Sequence, residues 1–309
     1  MNDSKRPFAQ GLLTAFWRNA SALLIAASLF WAINPLIGRV VRDLIDPVTL
    51  SFWRWTVAFM LVLAVGHKAI RQDLGEIWRS WRILLLLGML GIGLFSTLVY
   101  WALRHTTATN NLLMQSATAP LLIVISAVLF RERATKAQLA AAALSVLGLI
   151  VFVSQGSLAN ILTFRFNRGD AASLLAVLLY AFYSALLRKR PVIHPLSLLA
   201  SLFAVGIITL FPAYAYGFTA TTISGNVGLL TAAAILYVAI FPSFLSFLFF
   251  NRAVELIGPI RVGPYLNLPP VFGTSLAILL LGEKIALYHL IGGAMIAAGI
   301  WRAQYLRTD

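Results

Sequence analysis

Apolar runs separated by short polar turns occupy almost the whole chain, at about 20–38, 48–66, 83–103, 110–130, 138–153, 171–187, 196–216, 229–250, 261–281 and 288–305. Roughly 20 apolar residues in helical form cross a hydrocarbon core of about 30 Å, so the pattern predicts ten transmembrane helices. Several runs sit near the lower limit for spanning, which predicts a compact bundle containing tilted or broken helices.

One stretch of this pattern, Tyr100 to Ile150, occurs twice. Shifted by 151 positions, Leu129, Glu132, Leu139, Ala143 and Gly148 fall on Leu280, Glu283, Leu290, Ala294 and Gly299, and Arg133 falls on Lys284. The shared grammar is an apolar span, a charged turn (Arg131-Glu132-Arg133 and Gly282-Glu283-Lys284) and a second apolar span rich in small residues. The front of each half agrees more faintly: Trp31-Ala32 answers Tyr180-Ala181 and Arg39 answers Arg188. A helix–charged turn–helix unit repeated in so apolar a chain points to a transporter built from two repeats. The expected division is 1–165, including a short cytoplasmic N-terminal segment, and 166–309.

Composition places the chain in the bilayer: 60% of residues are hydrophobic and 11% charged, against about 25% charged in a soluble domain. Mean hydropathy is +0.87. The net charge of +14 resembles a nucleic-acid signal until the loops are sorted. With the N-terminus in the cytoplasm, Lys and Arg number 17 on the cytoplasmic side and 6 outside, Arg54 remaining within a span. The positive-inside rule then predicts an even number of spans with both termini cytoplasmic, and no nucleic-acid partner. Five spans per half is odd, so the second half enters from the opposite side. Glu132 and Glu283 are thereby expected on opposite faces, the halves being related by a pseudo-two-fold axis in the membrane plane. The chain has no Cys, which excludes disulfides and thiol-ligated metal. No cofactor or metal is expected, and Met1–Asn19 shows no cleavable signal peptide.

With the halves aligned, the chain resembles the EamA-type branch of the drug/metabolite transporter superfamily. Leu281-Gly282-Glu283-Lys284, followed by Leu290-Ile291-Gly292-Gly293 and Gly299, is similar to that family's signature end. Pro120-Leu121 and Pro270-Val271 resemble its fourth- and ninth-span prolines. Pro47 through Arg54 resembles its second helix, and Phe30-Trp31-Ala32-Ile33-Asn34 its first. The first copy departs from the pattern, with Arg131 before Glu132 and Ala141-Ala142 in place of a glycine pair. The resemblance implies an all-α integral membrane protein of ten helices in two inverted five-helix repeats, lying in a bacterial-type inner membrane. Within the superfamily the chain is most similar to inner-membrane exporters of aromatic amino acids.

Polar groups inside a membrane cost free energy unless they face a cavity or a partner, which makes them the first candidates for function. Asn111, Gln115 and Thr118 share a helix face that ends at Pro120; this face lines a cavity or binds a neighbouring helix. In the ninth span Tyr265, Pro269 and Phe272 share a face and Asn267 adds an amide, with a helix break expected at Pro269-Pro270. Broken helices at matching places in two halves point to a binding site, or else to a structural kink. Trp31, Asn34, Tyr100, Tyr180, Tyr183 and Tyr237 are candidates for stacking on a ligand ring, although membrane aromatics also serve as interfacial belts. Arg54 is placed to meet a substrate carboxylate, pair with a helix end or snorkel outward. Glu132 and Glu283, each beside basic residues, are read as structural turns.

The acids fall at span borders, so no carboxylate is expected at depth to couple protons or hold a cation. The small-residue faces of the fifth and tenth spans are expected to pack within their own repeats, as a monomer, with dimerisation as the alternative. The chain carries no H-E-x-x-H or equivalent and is not expected to be an enzyme; charged rings for a selective channel are missing too. The expected activity is export of small amphipathic metabolites, aromatic or neutral amino acids among them, by alternating access. Efflux of lipophilic drugs is the alternative.

Overall fold

The computed structural model describes residues 11, 14–41, 44–103, 105–106, 111, 114–115, 117–131, 134–162, 166–220, 228–281 and 286–305. Glu132 and Glu283 lie outside the described residues, as does the side chain of Tyr100. Every regular element among the described residues is helical. The first half runs through α1 (Ala20–Val41), α2 (Pro47–Arg79), α3 (Trp81–Gly88), a π-helical turn (Met89–Gly93), α4 (Leu94–Leu103), α5 (Thr118–Phe130) and α6 (Lys136–Val153). A short α7 (Leu158–Leu162) leads to the second half. That half comprises α8 (Arg168–Leu186), α9 (Pro195–Ala220), α10 (Leu229–Val238), a π turn (Ala239–Leu245) and α11 (Ser246–Ile257). It ends with α12 (Pro259–Val262), a 3₁₀ turn (Gly263–Asn267), α13 (Leu268–Leu281) and α14 (Leu287–Tyr305).

Among the described residues, six stretches are long and apolar enough to cross a membrane: Val48–Arg79, Trp81–Val99, Lys136–Val153, Arg168–Lys189, Pro195–Tyr216 and Leu229–Ile257. Ala20–Asn34 and Thr118–Phe130 are shorter apolar helices.

Local sequence explains where the helices start. The Asp46 carboxylate accepts from the Val48 and Thr49 amides at 2.9 and 3.1 Å, and Pro47 takes the first helical position, where a missing N–H costs nothing. Thr135 with Gln138, and Asn167 with Asp170, form capping boxes for α6 and α8. Asp170 is fully buried at its border position, where it also accepts from the Thr106 hydroxyl. This ties the chain beyond α4 to the start of the second half.

One boundary differs clearly from expectation. The second apolar run ends near residue 66, yet α2 continues to Arg79, about 50 Å in all at 1.5 Å per residue. The polar extension needs no lipid: it keeps the helical register with good helix formers, and the Asp73 carboxylate accepts the His194 backbone N–H at 2.8 Å.

Contacts between the halves come in the swapped pairs that a two-fold relation requires. α6 packs on α14, α2 on α9, and α5 on the 3₁₀ turn before α13. The contact of α1 with α11 is matched by that of α8 with α4, and the contact of α1 with α13 by that of α8 with α5. The expectation for the small-residue faces needs correction in part: α6 and α14 meet chiefly across the halves, while Ala142 of α6 also shares a core cluster with Ala119 and Ile123 of α5. A Cβ at Gly148 would lie 2.8 Å from the Gly292 carbonyl oxygen, and one at Gly292 would lie 2.7 Å from that of Gly148. Gly299 meets the Ala141 carbonyl in the same way, at 2.8 Å.

Gly148→Leu should therefore lower the melting temperature in detergent, with overpacking costing about 1–3 kcal/mol. Gly293→Leu should be tolerated, because its nearest neighbour is Val271 at 3.9 Å. Equal melting temperatures for the two variants would contradict this packing.

Candidate functional site

The centre of the molecule is built around helix irregularities. Pro242 has no N–H to give the Val238 carbonyl, and the Ser243 hydroxyl takes its place at 2.7 Å. The π register of this turn leaves the Pro242 carbonyl to the indole N–H of Trp31, 3.0 Å away on α1. Ser243 Oγ also accepts from Arg54 Nε at 2.9 Å. Arg54 is 6% exposed, and its guanidinium stands 4.6 Å over the Trp55 ring. Arg54 therefore does not snorkel outward.

The ninth apolar stretch is broken as well, although not at the expected residues. The irregular turn is Gly263–Asn267, and Pro269 and Pro270 stand in the first turn of α13, where proline is tolerated. Pro120 likewise belongs to the first turn of α5. Pro269 cannot bond the Tyr265 carbonyl, which accepts from the Leu268 N–H in the 3₁₀ turn and from the Ser28 hydroxyl of α1 at 3.3 Å. Ser145 of α6 donates to the Pro264 carbonyl at 3.3 Å and accepts from the Asn267 amide at 2.7 Å. The Tyr265 hydroxyl donates to Ser21 Oγ at 2.9 Å. Tyr265 and Asn267 are thus deeply buried ties between the halves.

Around these breaks lies a seam of aromatic side chains. Trp31 packs on Phe247 and Phe250, with ring centroids 6.1 and 5.7 Å apart. Tyr180 sits 4.9 Å from Phe95, 5.5 Å from Tyr183 and 5.6 Å from Phe250. Trp55 closes the group at 5.2 Å from Phe247, its indole N–H donating to Ser96 Oγ at 3.3 Å. The Tyr183 hydroxyl donates to Asn251 Oδ1 at 2.6 Å. The hydroxyl of Tyr180 is buried without a hydrogen-bond partner, an uncommon cost in a folded interior. Gly91, in the first π turn, admits the Tyr183 ring, which a Cβ there would strike at 2.5 Å.

The predicted face of the fourth run forms a hydrogen-bonded chain. Gln115 Nε2 donates to Asn111 Oδ1 at 2.8 Å, Asn111 Nδ2 to Ser173 Oγ of α8 at 2.8 Å, and Thr118 Oγ1 to the Gln115 carbonyl at 2.7 Å. Trp31, Tyr180 and Tyr183 therefore come together; Asn111, Gln115 and Thr118 form a second group, and Tyr265 with Asn267 a third. Asn34 is half-buried three residues past Trp31. Tyr237 is half-buried against Phe241 at 5.0 Å, outside the three groups.

Sequence reasoning missed Ser145, Ser173, Ser243 and Asn251. The signal for Ser243 was Pro242 just before it. The two π turns also stand in register: under the 151-residue shift Met89–Gly93 falls on 240–244, within Ala239–Leu245.

Matched halves, each with an irregular turn at the same place deep in an apolar bundle, define a membrane transporter. The sequence pattern of the EamA-like transporter family matches residues 18–154 and again 167–303. The chain belongs to that family. Its relatives are transporters and not enzymes. It is 23% identical over 288 residues to the uncharacterized transporter YyaM of Bacillus subtilis, covering 92% of this chain and 93% of the relative. It is 26% identical over 291 residues to a probable terminal-alkyne amino-acid exporter of Streptantibioticus cattleyicolor, covering 94% and 93%. A solved crystal structure shares the fold, with a TM-score of 0.74 and 18% identity over 92% of this chain and 96% of the other.

A double-mutant cycle of Ser145→Ala and Asn267→Ala should return a coupling of about 0.6 kcal/mol, up to about 1.7. Strictly additive effects on unfolding would show that the two side chains do not interact.

Proposed function

We propose that the protein is a secondary transporter that exports small amphipathic metabolites, aromatic or neutral amino acids, by alternating access between its halves 1–165 and 166–309. The observation that carries this reading is the aromatic seam between the halves, with the unpartnered hydroxyl of Tyr180 inside it. Aromatic faces bind apolar rings or aliphatic chains, and an idle buried hydroxyl is a hydrogen bond held for something polar. In this reading the chain crosses a bacterial-type inner membrane ten times as a monomer, with inverted halves and both termini in the cytoplasm.

Two further observations support the substrate class. Arg54 puts a buried positive charge at the edge of the seam, against Trp55, which favours a substrate carboxylate over a cationic drug. The relative from Streptantibioticus cattleyicolor is described as a probable terminal-alkyne amino-acid exporter. The aromatic seam also suits lipophilic drugs, which keeps multidrug efflux as the second reading. Border positions for the acids support facilitated export without proton coupling.

Purified protein in liposomes, assayed by counterflow with radiolabelled aromatic amino acids, tests this. Counterflow without an imposed pH gradient is the expected result; its absence for every amino acid, with lipophilic dyes moving instead, selects the drug reading. Tyr180→Phe should slow counterflow at unchanged melting temperature, since the lost hydroxyl has no protein partner to strand. An unchanged rate would return Tyr180 to packing.

A further inference from the structure

A second feature lies apart from the seam. A cavity of about 430 Å³ opens where residues 190–195, between α8 and α9, meet α11. Its charged wall holds Arg188, Arg190, Arg252 and Glu255; its apolar wall includes Leu198, Leu199 and Leu248. Glu255 bridges two of the arginines, Arg190 Nη2 to Oε1 at 3.1 Å and Arg252 Nη1 to Oε2 at 2.9 Å. Both carboxylate oxygens are thereby engaged, and the two guanidinium charges of Arg190 and Arg252 against one carboxylate leave this wall positive.

Asn251 also lines this cavity and is 7% exposed. Its Oδ1 is taken by the Tyr183 hydroxyl, which leaves the Nδ2 donor, and that atom is buried without a partner. That donor is closed to solvent as well as idle, a cost relieved when an acceptor reaches it. A guanidinium carries five N–H donors, so the salt bridges to Glu255 leave Arg190 and Arg252 with donors to offer. The wall therefore presents donors and positive charge at one side and leucine side chains at the other. A cation would be repelled, and a wholly apolar molecule would leave the donors unmet. About 430 Å³ is within the range of small-molecule sites.

We infer that this cavity is a binding site for an amphipathic carboxylate, whose oxygens accept from Asn251 Nδ2 and from Arg190 or Arg252 while its apolar part lies on Leu198, Leu199 and Leu248. The ammonium of an amino acid is tolerated towards the open side and is not required. Through the Asn251–Tyr183 hydrogen bond the cavity adjoins the aromatic seam, so it is a vestibule from which the carboxylate of a substrate is first held. The identity of the occupant as a substrate rests on the transporter reading above; the ligand chemistry does not.

The test is calorimetric titration of the intact protein in detergent with 3-phenylpropionate, phenylalanine and 2-phenylethylamine, which share a ring and differ in head group. Binding of the two carboxylates with the amine at least about tenfold weaker is expected. Asn251→Ala and Arg190→Gln should each weaken phenylpropionate about fivefold or more. Leu198→Trp, which fills the cavity and leaves its charges, should abolish binding at a retained melting temperature. Equal affinity for acid and amine in the wild type, or undiminished binding by the filled variant, would overturn the assignment. Carboxylate-selective binding without counterflow of any amino acid would leave the site standing and sink the transport reading; counterflow without such binding would do the reverse.

Discussion

A backbone carbonyl left unpaired inside a bilayer has no water to turn to. The second half of this chain contains two such places, around Pro242 and around Gly263–Pro269. Its own hydroxyls repair part of the damage, as Ser243 does for Val238. The first half supplies further donors: Trp31 reaches the Pro242 carbonyl, Ser145 the Pro264 carbonyl, and Ser28 adds a second donor to the Tyr265 carbonyl beside the Leu268 N–H. These bonds hold the halves in register at the depth where the helices are least regular. Each is worth well under a few kcal/mol in a membrane, so they define one arrangement without locking it. A transporter that alternates access needs an interface of that strength.

The two kinds of contact between the halves have different characters. Where α6 meets α14, glycines allow backbone to approach backbone closely. Along the seam, contacts are made by aromatic rings and single hydrogen bonds, which can slide and re-form. Rigid contact at one edge and adjustable contact at the centre suit a rocking motion about the α6–α14 pair. The cavity beside Asn251 stands at one end of the adjustable part, joined to it through Tyr183.

Much of the architecture was legible in the sequence because lipid enforces long apolar runs. The repeat could be read from Glu132 and Glu283, even though both lie outside the described residues. Trp31, Tyr180 and Tyr183 were read as candidates for stacking on a ligand ring and come together in the seam, whereas Tyr237, named with them, stands apart. The part that stayed hidden depends on which helix faces which. Nothing local marks Ser145 or Ser28 as partners of carbonyls more than 100 residues away. Pro269-Pro270 pointed to a break, but prolines begin helices as readily as they interrupt them, and the irregular turn lies just upstream. The small-residue faces were recognisable as packing surfaces, while their partner, the other half's last helix, was not. The length of α2 was underestimated because hydropathy reports where lipid ends and not where the helix does.

The central claim is that side chains of the first half stabilise the broken backbone of the second. Hydrogen exchange of the protein in lipid nanodiscs tests it directly, comparing the wild type with the Ser28→Ala/Ser145→Ala double variant. Faster exchange confined to the segment 258–272, with α6 and α14 as protected as before, is the predicted result. Equal protection of that segment in both proteins would contradict the account.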